Sequence, residues 1–212
     1  MTWYYWLLVP ATYLLASISF AWWAGKLKGK DLRKEGSGNL GATNAGRVLG
    51  RAWFFSILIL DIAKGLGPVL LAQTFVSTHP ANSDWLIIAT ASAAILGHTF
   101  TCFHGFKGGK AVATSLGVLI ALVGHVAVVC FVVWILAWTL GVTMFGRKFA
   151  EAVGPASVLA ALAAPIAHLA MCRNPWEMPN VLITLFVLLI SCLVVVRHRS
   201  NIAKMFGHRD VT

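Results

Sequence analysis

Apolar residues in this chain fall in long unbroken blocks, not at the 3.6-residue period of a surface helix or the two-residue period of a half-buried strand. The blocks cover residues 2–25, 52–75, 85–103, 111–144, 157–172 and 180–196, and between them lie short polar segments rich in Gly, Lys and Arg. A helix of about 20 residues at ~1.5 Å each matches the ~30 Å hydrocarbon core of a bilayer, where every backbone N–H and C=O must be satisfied within the protein. The pattern predicts an all-α integral membrane protein forming one domain over residues 1–212. Residues 2–25 carry no charge and no basic segment precedes them, so they read as one retained span and not a cleaved signal. The block 111–144 would extend about 50 Å as one helix, too long for a single crossing. A break is expected at Gly124–His125, leaving a short helix and then a full one that runs back across.

Composition agrees: 58% of residues are hydrophobic, 11% are charged and the mean hydropathy is +0.79, which excludes an ordinary soluble domain. The formal net charge of +10 does more, because Lys and Arg in short loops mark the cytoplasmic side. With seven spans and the N-terminus outside, the inside segments collect Lys26, Lys28, Lys30, Arg33, Lys34, Arg47, Arg51, Lys107, Lys110, Arg147, Lys148, Arg197, Arg199, Lys204 and Arg209, and Arg173 lies outside. With six spans, Arg147, Lys148 and the basic C-terminus would move outside, against the rule. The expectation is seven spans with a cytoplasmic C-terminus, which puts 26–51, 104–110 and 197–212 on one face. Cys102, Cys130, Cys172 and Cys192 have no metal-ligand spacing and read as packing residues.

Those three segments carry the candidate chemistry. Gly36 to Arg47 is far longer and more polar than a turn needs; Gly36, Gly38 and Gly41 let the backbone turn N–H groups inward as an anion nest, beside Ser37, Asn39, Thr43, Asn44 and Arg47. Gly105 to Lys110 leads into a helix beginning near Ala111 with Thr114 in its first turn. Unpaired N–H donors, the positive dipole end and the charges of Lys107 and Lys110 suit a phosphate there. The spacing is not that of a nucleotide-binding P-loop, since Ala111 sits where Ser or Thr would hold magnesium. His198 and Asn201, three apart, share a face if the last helix continues. Asp61 and Lys64, three apart inside a span, read most simply as an ion pair facing the bundle. His79 and Asp84 fit a His-x-x-x-x-Asp acyltransferase pattern, but in an outside loop without a nearby Lys or Arg, and the match is set aside as coincidence.

Taken together, the motifs resemble those of the acyl-phosphate-dependent glycerol-3-phosphate acyltransferases, the PlsY family. That family carries Gly-Ser-Gly-Asn-x-Gly-x-Thr-Asn-x-x-Arg, reproduced here from Gly36 to Arg47. It also carries Leu-Gly-His (Leu96 to His98), Gly-Phe-Lys-Gly-Gly-Lys (Gly105 to Lys110), Asp-x-x-Lys-Gly (Asp61, Lys64, Gly65) and an Arg-His-Arg-x-Asn-Ile tail (197–202). The resemblance implies a seven-helix, multi-pass enzyme of the bacterial inner membrane with its site at the cytoplasmic interface. It would transfer an acyl group from acyl phosphate to the 1-hydroxyl of glycerol 3-phosphate, giving lysophosphatidic acid and phosphate for phospholipid synthesis. By matching positions it assigns Ser37, Arg47, Lys110, His198 and Asn201 as catalytic, and Gly36, Gly38, Asn39, Thr43, Asn44, Lys107, Gly108, Gly109 and Thr114 as substrate-binding. No metal, cofactor or nucleic-acid partner is expected; membrane lipid is.

The chain departs from the family at Ala111, where Gly is usual, in the 147–157 loop, where only Ala156-Ser157 is recognisable, and in the tail, where Gly207-His208-Arg209-Asp210 displaces the customary Glu. A divergent paralogue with another acceptor therefore stays open. So does an organic-anion or phosphate transporter, although the polar motifs lie at one membrane edge without paired repeats. A lipid-binding scaffold accounts for the charge but not for Ser37, Asn39, Thr43 and Asn44 in one loop.

Overall fold

The computed structural model describes residues 3–78 and 84–205, with side chains to residue 203. Six helical segments among them are long and apolar enough to cross a membrane: Trp3–Leu27, Arg51–Thr78, Asp84–His104, Val112–Thr143, Phe149–Met171 and Asn180–Arg197. The chain divides into two compact units, Met1–Leu122 and Val123–Thr212.

In the first unit, the expected continuous span 2–25 is broken. A 3-10 turn at Trp3–Leu7 leads into α1 (Leu8–Ser17), the chain is extended at Ile18 and Ser19, and α2 (Phe20–Leu27) follows with Ser19 Oγ accepting from Trp22 N at 3.1 Å. The break frees two carbonyls, and both find donors: Thr101 Oγ1 on Ser17 O at 2.6 Å and Lys64 Nζ on Ile18 O at 3.2 Å. Without those donors the unpaired carbonyls would be prohibitive inside a membrane. Ser-Ile-Ser contains neither Gly nor Pro, so no local signal announced the break.

A polar loop then leads to α3 (Ala42–Leu49), which packs on α4 (Arg51–Thr78) at Gly46, where a Cβ would run into the Phe54 side chain. Helix α5 (Asp84–Thr99) lies along α1; Gly97 admits the Tyr13 backbone, and Tyr13 Oη donates to Phe100 O at 2.7 Å. Helix α6 (Val112–Thr143) begins against α4, with Gly65 facing the Thr114 carbonyl and Gly117 facing the Ile62 carbonyl so closely that a Cβ at either would collide. Such small-residue seams substitute for the hydrophobic drive that lipid removes. Inside α6, Val123 is non-helical (φ −148°, ψ 66°), so the long block is broken one residue before Gly124, at the boundary of the two units.

The second unit holds the rest of α6 with α7 (Phe149–Met171), α8 (Asn180–Arg197) and α9 (Arg199–Met205). Helix α7 starts well before the expected residue 157. Glu151 Oε2 accepts from Lys148 N at 3.3 Å in a capping arrangement that the Gly154-Pro155 pair obscured in the sequence. Trp134 Nε1 donates to Ser157 Oγ at 3.2 Å and Ser191 Oγ to Ala161 O at 2.6 Å, tying α6 and α8 to α7. Large apolar residues such as Ile59, Leu136, Ile166 and Leu189 are exposed while alanines fill the interior, the distribution a lipid solvent produces.

Candidate active site

The loop before α3 is organised around Asn44, which is 2% exposed. Its Oδ1 accepts from Ser37 N at 2.7 Å and from Arg47 Nη1 at 3.5 Å, and its Nδ2 donates to Leu32 O and Glu35 O, each at 3.1 Å. Gly36 (φ 63°) and Gly38 (φ 69°) take the left-handed conformation, and a Cβ on Gly36 would collide with Asn44 Oδ1. Asn44, read from sequence as a substrate contact, thus has its amide engaged within the loop. The nest also differs from expectation, since Ser37 N is held by Asn44 and Gly38 N donates to Glu35 O at 3.1 Å. Ser37 on the loop and Arg47 in the last turn of α3 stand exposed, with Asn39 and Thr43 half-buried, so side chains are the outward chemistry of this corner. Below the loop, Arg33 Nη2 lies 2.8 Å from Asp31 Oδ2, and this hydrogen-bonded guanidinium holds the Asp31 carboxyl well below the usual carboxylate range.

The second loop is pinned from behind. Gly108 N donates to Thr99 O and Gly109 N to His98 O, both at 3.0 Å, while Phe106 N donates to Thr101 O at 2.9 Å. Both glycines are buried, Lys107 is exposed and Lys110 is half-buried at the entrance to α6. Ala111 caps that helix, its carbonyl accepting from Ser115 N at 2.7 Å, and it has a φ of 62°, the region that favours glycine. The departure from the family pattern is therefore at a strained position, worth ~1–2 kcal/mol. Thr114 is fully buried in the α4–α6 seam, and its Oγ1 has no hydrogen-bond partner among the described residues. Chemically, this corner presents the Lys110 ammonium beside the N–H groups of the first turn of α6, which a helix start leaves without partners inside the helix.

Beneath this loop lies a charged cluster that sequence reasoning saw only in part. Lys64 Nζ is 2.8 Å from Asp61 Oδ1, the expected ion pair, and His98 Nδ1 is 3.7 Å from the same oxygen. His98 was read only as part of a motif; an intramembrane histidine beside a helix glycine was the available signal.

In the second unit, α8 does not simply continue. It ends at Arg197, His198 turns the chain (φ −99°, ψ 9°), and α9 restarts with Asn201 N and Ile202 N donating to His198 O at 2.8 and 2.9 Å. His198 is buried with Nδ1 2.7 Å from Val194 O; a carbonyl only accepts, so Nδ1 carries a proton in this contact. The Asn201 amide fills the notch at Gly154, where a Cβ would collide with Asn201 Nδ2. Asp84 opens α5, and its would-be partner His79 lies outside the described residues, as does the departure at 207–210. Among the described residues, no group of three or more His, Cys, Asp or Glu side chains forms a metal-binding cluster.

Comparison with known proteins gives this geometry its context. A family model for glycerol-3-phosphate acyltransferase matches residues 6–208. A glycerol-3-phosphate acyltransferase of Aquifex aeolicus is 40% identical over 203 residues, 96% of each chain. One from Neisseria meningitidis serogroup C is 42% identical over 204 residues, 95% of this chain and 94% of the relative. The glycerol 3-phosphate form of PlsY, an integral membrane glycerol 3-phosphate acyltransferase solved by crystallography, superposes with a TM-score of 0.79 at 38% identity, covering 96% of this chain and 93% of that one. The lysophosphatidic acid form of PlsY gives 0.76 at 36% identity. With its fold and nearly its whole length in common with these enzymes, this multi-pass membrane protein belongs to the glycerol-3-phosphate acyltransferase family.

Proposed function

We propose that the enzyme takes its acyl group from acyl phosphate and delivers it to the 1-hydroxyl of glycerol 3-phosphate, releasing lysophosphatidic acid and inorganic phosphate at the cytoplasmic face of a bacterial inner membrane. The observation that carries the reading is the similarity, at 38% identity over 96% of the chain, to a PlsY crystallised in a glycerol 3-phosphate form. The chain keeps the complete Gly36 to Arg47 motif beside it. Phospholipid synthesis is the corresponding role.

Acyl phosphate is a mixed anhydride whose phosphate leaves readily once its charge is balanced. In the proposed step the hydroxyl oxygen attacks the carbonyl carbon, the tetrahedral intermediate collapses, and the carbon–oxygen bond to phosphate breaks. Arg47 and Lys110 hold phosphate, with Lys107 assisting and Gly108 and Gly109 shaping the loop. Ser37 orients the glycerol or stabilises the oxyanion. His198 and Asn201 enter on the resemblance alone, Asn201 as an orienting amide and His198 through Nε2, the ring nitrogen opposite the one bonded to Val194 O. A phosphate oxygen is the other candidate to take the hydroxyl proton. The accompanying topology is seven spans with the N-terminus outside, α6 supplying two of them about its break at Val123.

Purified protein reconstituted with both substrates tests this. Phosphate release should require acyl phosphate and glycerol 3-phosphate together; release without the acceptor, or none with both, refutes it. Cysteine labelling that places 36–47, 105–110 and 197–202 on different sides of the bilayer would sink the topology.

A further inference from the structure

We infer that His98 is a positioning residue for the Gly108 to Lys110 loop, held in register by the buried Asp61–Lys64 pair. The inference rests on the proposal that this loop holds phosphate. His98 is 6% exposed and the loop backbone runs beside it, so it cannot act by meeting solvent or substrate freely. What it meets is the loop. A Cβ on Gly109 would collide with Nε2, Cε1 and Cδ2 of the ring, and one on Gly108 with the His98 carbonyl. The same carbonyl accepts from Gly109 N at 3.0 Å. Side chain and backbone of one residue therefore fix the two glycines immediately before Lys110.

The ring's other edge is set by charge. His98 Nδ1 lies 3.7 Å from Asp61 Oδ1, which Lys64 Nζ approaches at 2.8 Å. Lys64 in turn reaches Ile18 O at 3.2 Å and sits 5.5 Å from the Phe20 ring centroid. Three elements, the α1–α2 break, α4 and α5, thus meet in one chain of contacts that runs from Ile18 through Lys64 and Asp61 to the imidazole. If stability alone were at stake, apolar side chains of similar volume would serve as well or better, because desolvating ions offsets their attraction. Intramembrane charges in such a place mark function by default, and a rigid support one residue from a phosphate-binding lysine gives the cluster a function.

The test uses full-length protein in detergent and reads two quantities. The first is hydrogen exchange in the peptide 105–111, which needs no substrate and so stands even if the proposed reaction fails. The second is kcat and KM with both substrates. In His98→Ala, exchange of that peptide should rise ~10-fold or more while α8 is unchanged. Its kcat should fall ~10- to 100-fold with KM for glycerol 3-phosphate within ~3-fold. His98→Gln, whose amide reaches the Nε2 position, should recover most of the loss and His98→Asn little. If His98→Ala does not fold, the near-isosteric, charge-free pair Asp61→Asn/Lys64→Gln takes its place and should loosen the same peptide. Unchanged protection of 105–111 in a folded variant, or equal activity of the Gln and Asn substitutions, overturns the inference.

Discussion

Replacing Asn44 with alanine separates two roles that the sequence could not distinguish, substrate contact and loop scaffold. The side chain makes one bond of 2.7 Å and two of 3.1 Å to the loop backbone and is 2% exposed. At ~0.5–1.5 kcal/mol each, three such bonds amount to about 1.5–4.5 kcal/mol. Ser37, exposed, and Glu35, partly buried, can recover part of this from water while buried Leu32 cannot, which points to about 2 kcal/mol. For a chain of this size that is a fall in Tm of roughly 4–8 °C. Ser37 N and Arg47 Nη1 both lose their anchor, and a displacement of ~1 Å at a positioning loop costs about 100-fold in rate, so kcat/KM should fall on that scale. Asn44→Asp keeps the acceptor for Ser37 but turns a carboxylate toward two carbonyl oxygens, and it should do no better than alanine. Thermal unfolding in detergent, exchange in residues 31–40 and steady-state kinetics are the assays. An unchanged Tm and loop exchange together with a raised KM alone would show that Asn44 is a ligand and that the scaffold account is wrong.

Three further outcomes are expected. Arg47→Ala and Lys110→Ala should each lower kcat/KM by at least ~100-fold, the scale of a lost preorganised charge contact, and full turnover in either removes it from the site. At Ala111, glycine relieves ~1–2 kcal/mol of backbone strain but gives up ~0.8 kcal/mol of methyl burial and ~0.4–1 kcal/mol of chain entropy, so Tm should stay within about 2 °C. Ala111→Val combines a β-branched residue at φ 62° with overpacking and should lower Tm by several degrees; valine tolerated as well as glycine would contradict the left-handed conformation. Because the Asp31 carboxyl is held below its ordinary value by Arg33, its contribution to the 31–34 turn is complete above ~pH 3.9 and is lost as pH falls through the lower folded-state value. Carboxyl titration by NMR should find Asp31 ionised below the ordinary range and Arg33→Ala should return it there.

Hydropathy made the helical class and most span positions legible, because a bilayer demands long apolar runs whatever their packing. The break near Gly124 was legible for the same reason, length against thickness. The break at Ile18–Ser19 was not, since its cause is tertiary: Thr101 and Lys64, distant in sequence, satisfy the carbonyls it frees. The early start of α7 was hidden by Gly154-Pro155, though the Gly is there to admit Asn201. At the candidate site, residue types marked out the loops but not the division of labour inside them. Asn44 and Thr114 resemble Ser37 in chemistry and differ from it in burial, which composition cannot report.

The interruption of the first span also constrains what lengths that span can have. Carbonyls of Ser17 and Ile18 meet their donors at one angular phase about the helix axis, and each inserted residue would turn that phase by about 100°. A single-residue insertion or deletion between Leu8 and Ser17 would turn both oxygens away from their donors and leave the Lys64 ammonium with Asp61 but without its carbonyl acceptor. Changes of identity in this stretch, above all on its lipid-facing side, should be far better tolerated than changes of length, which makes indel scanning, rather than substitution scanning, the sharper genetic probe of the N-terminal segment.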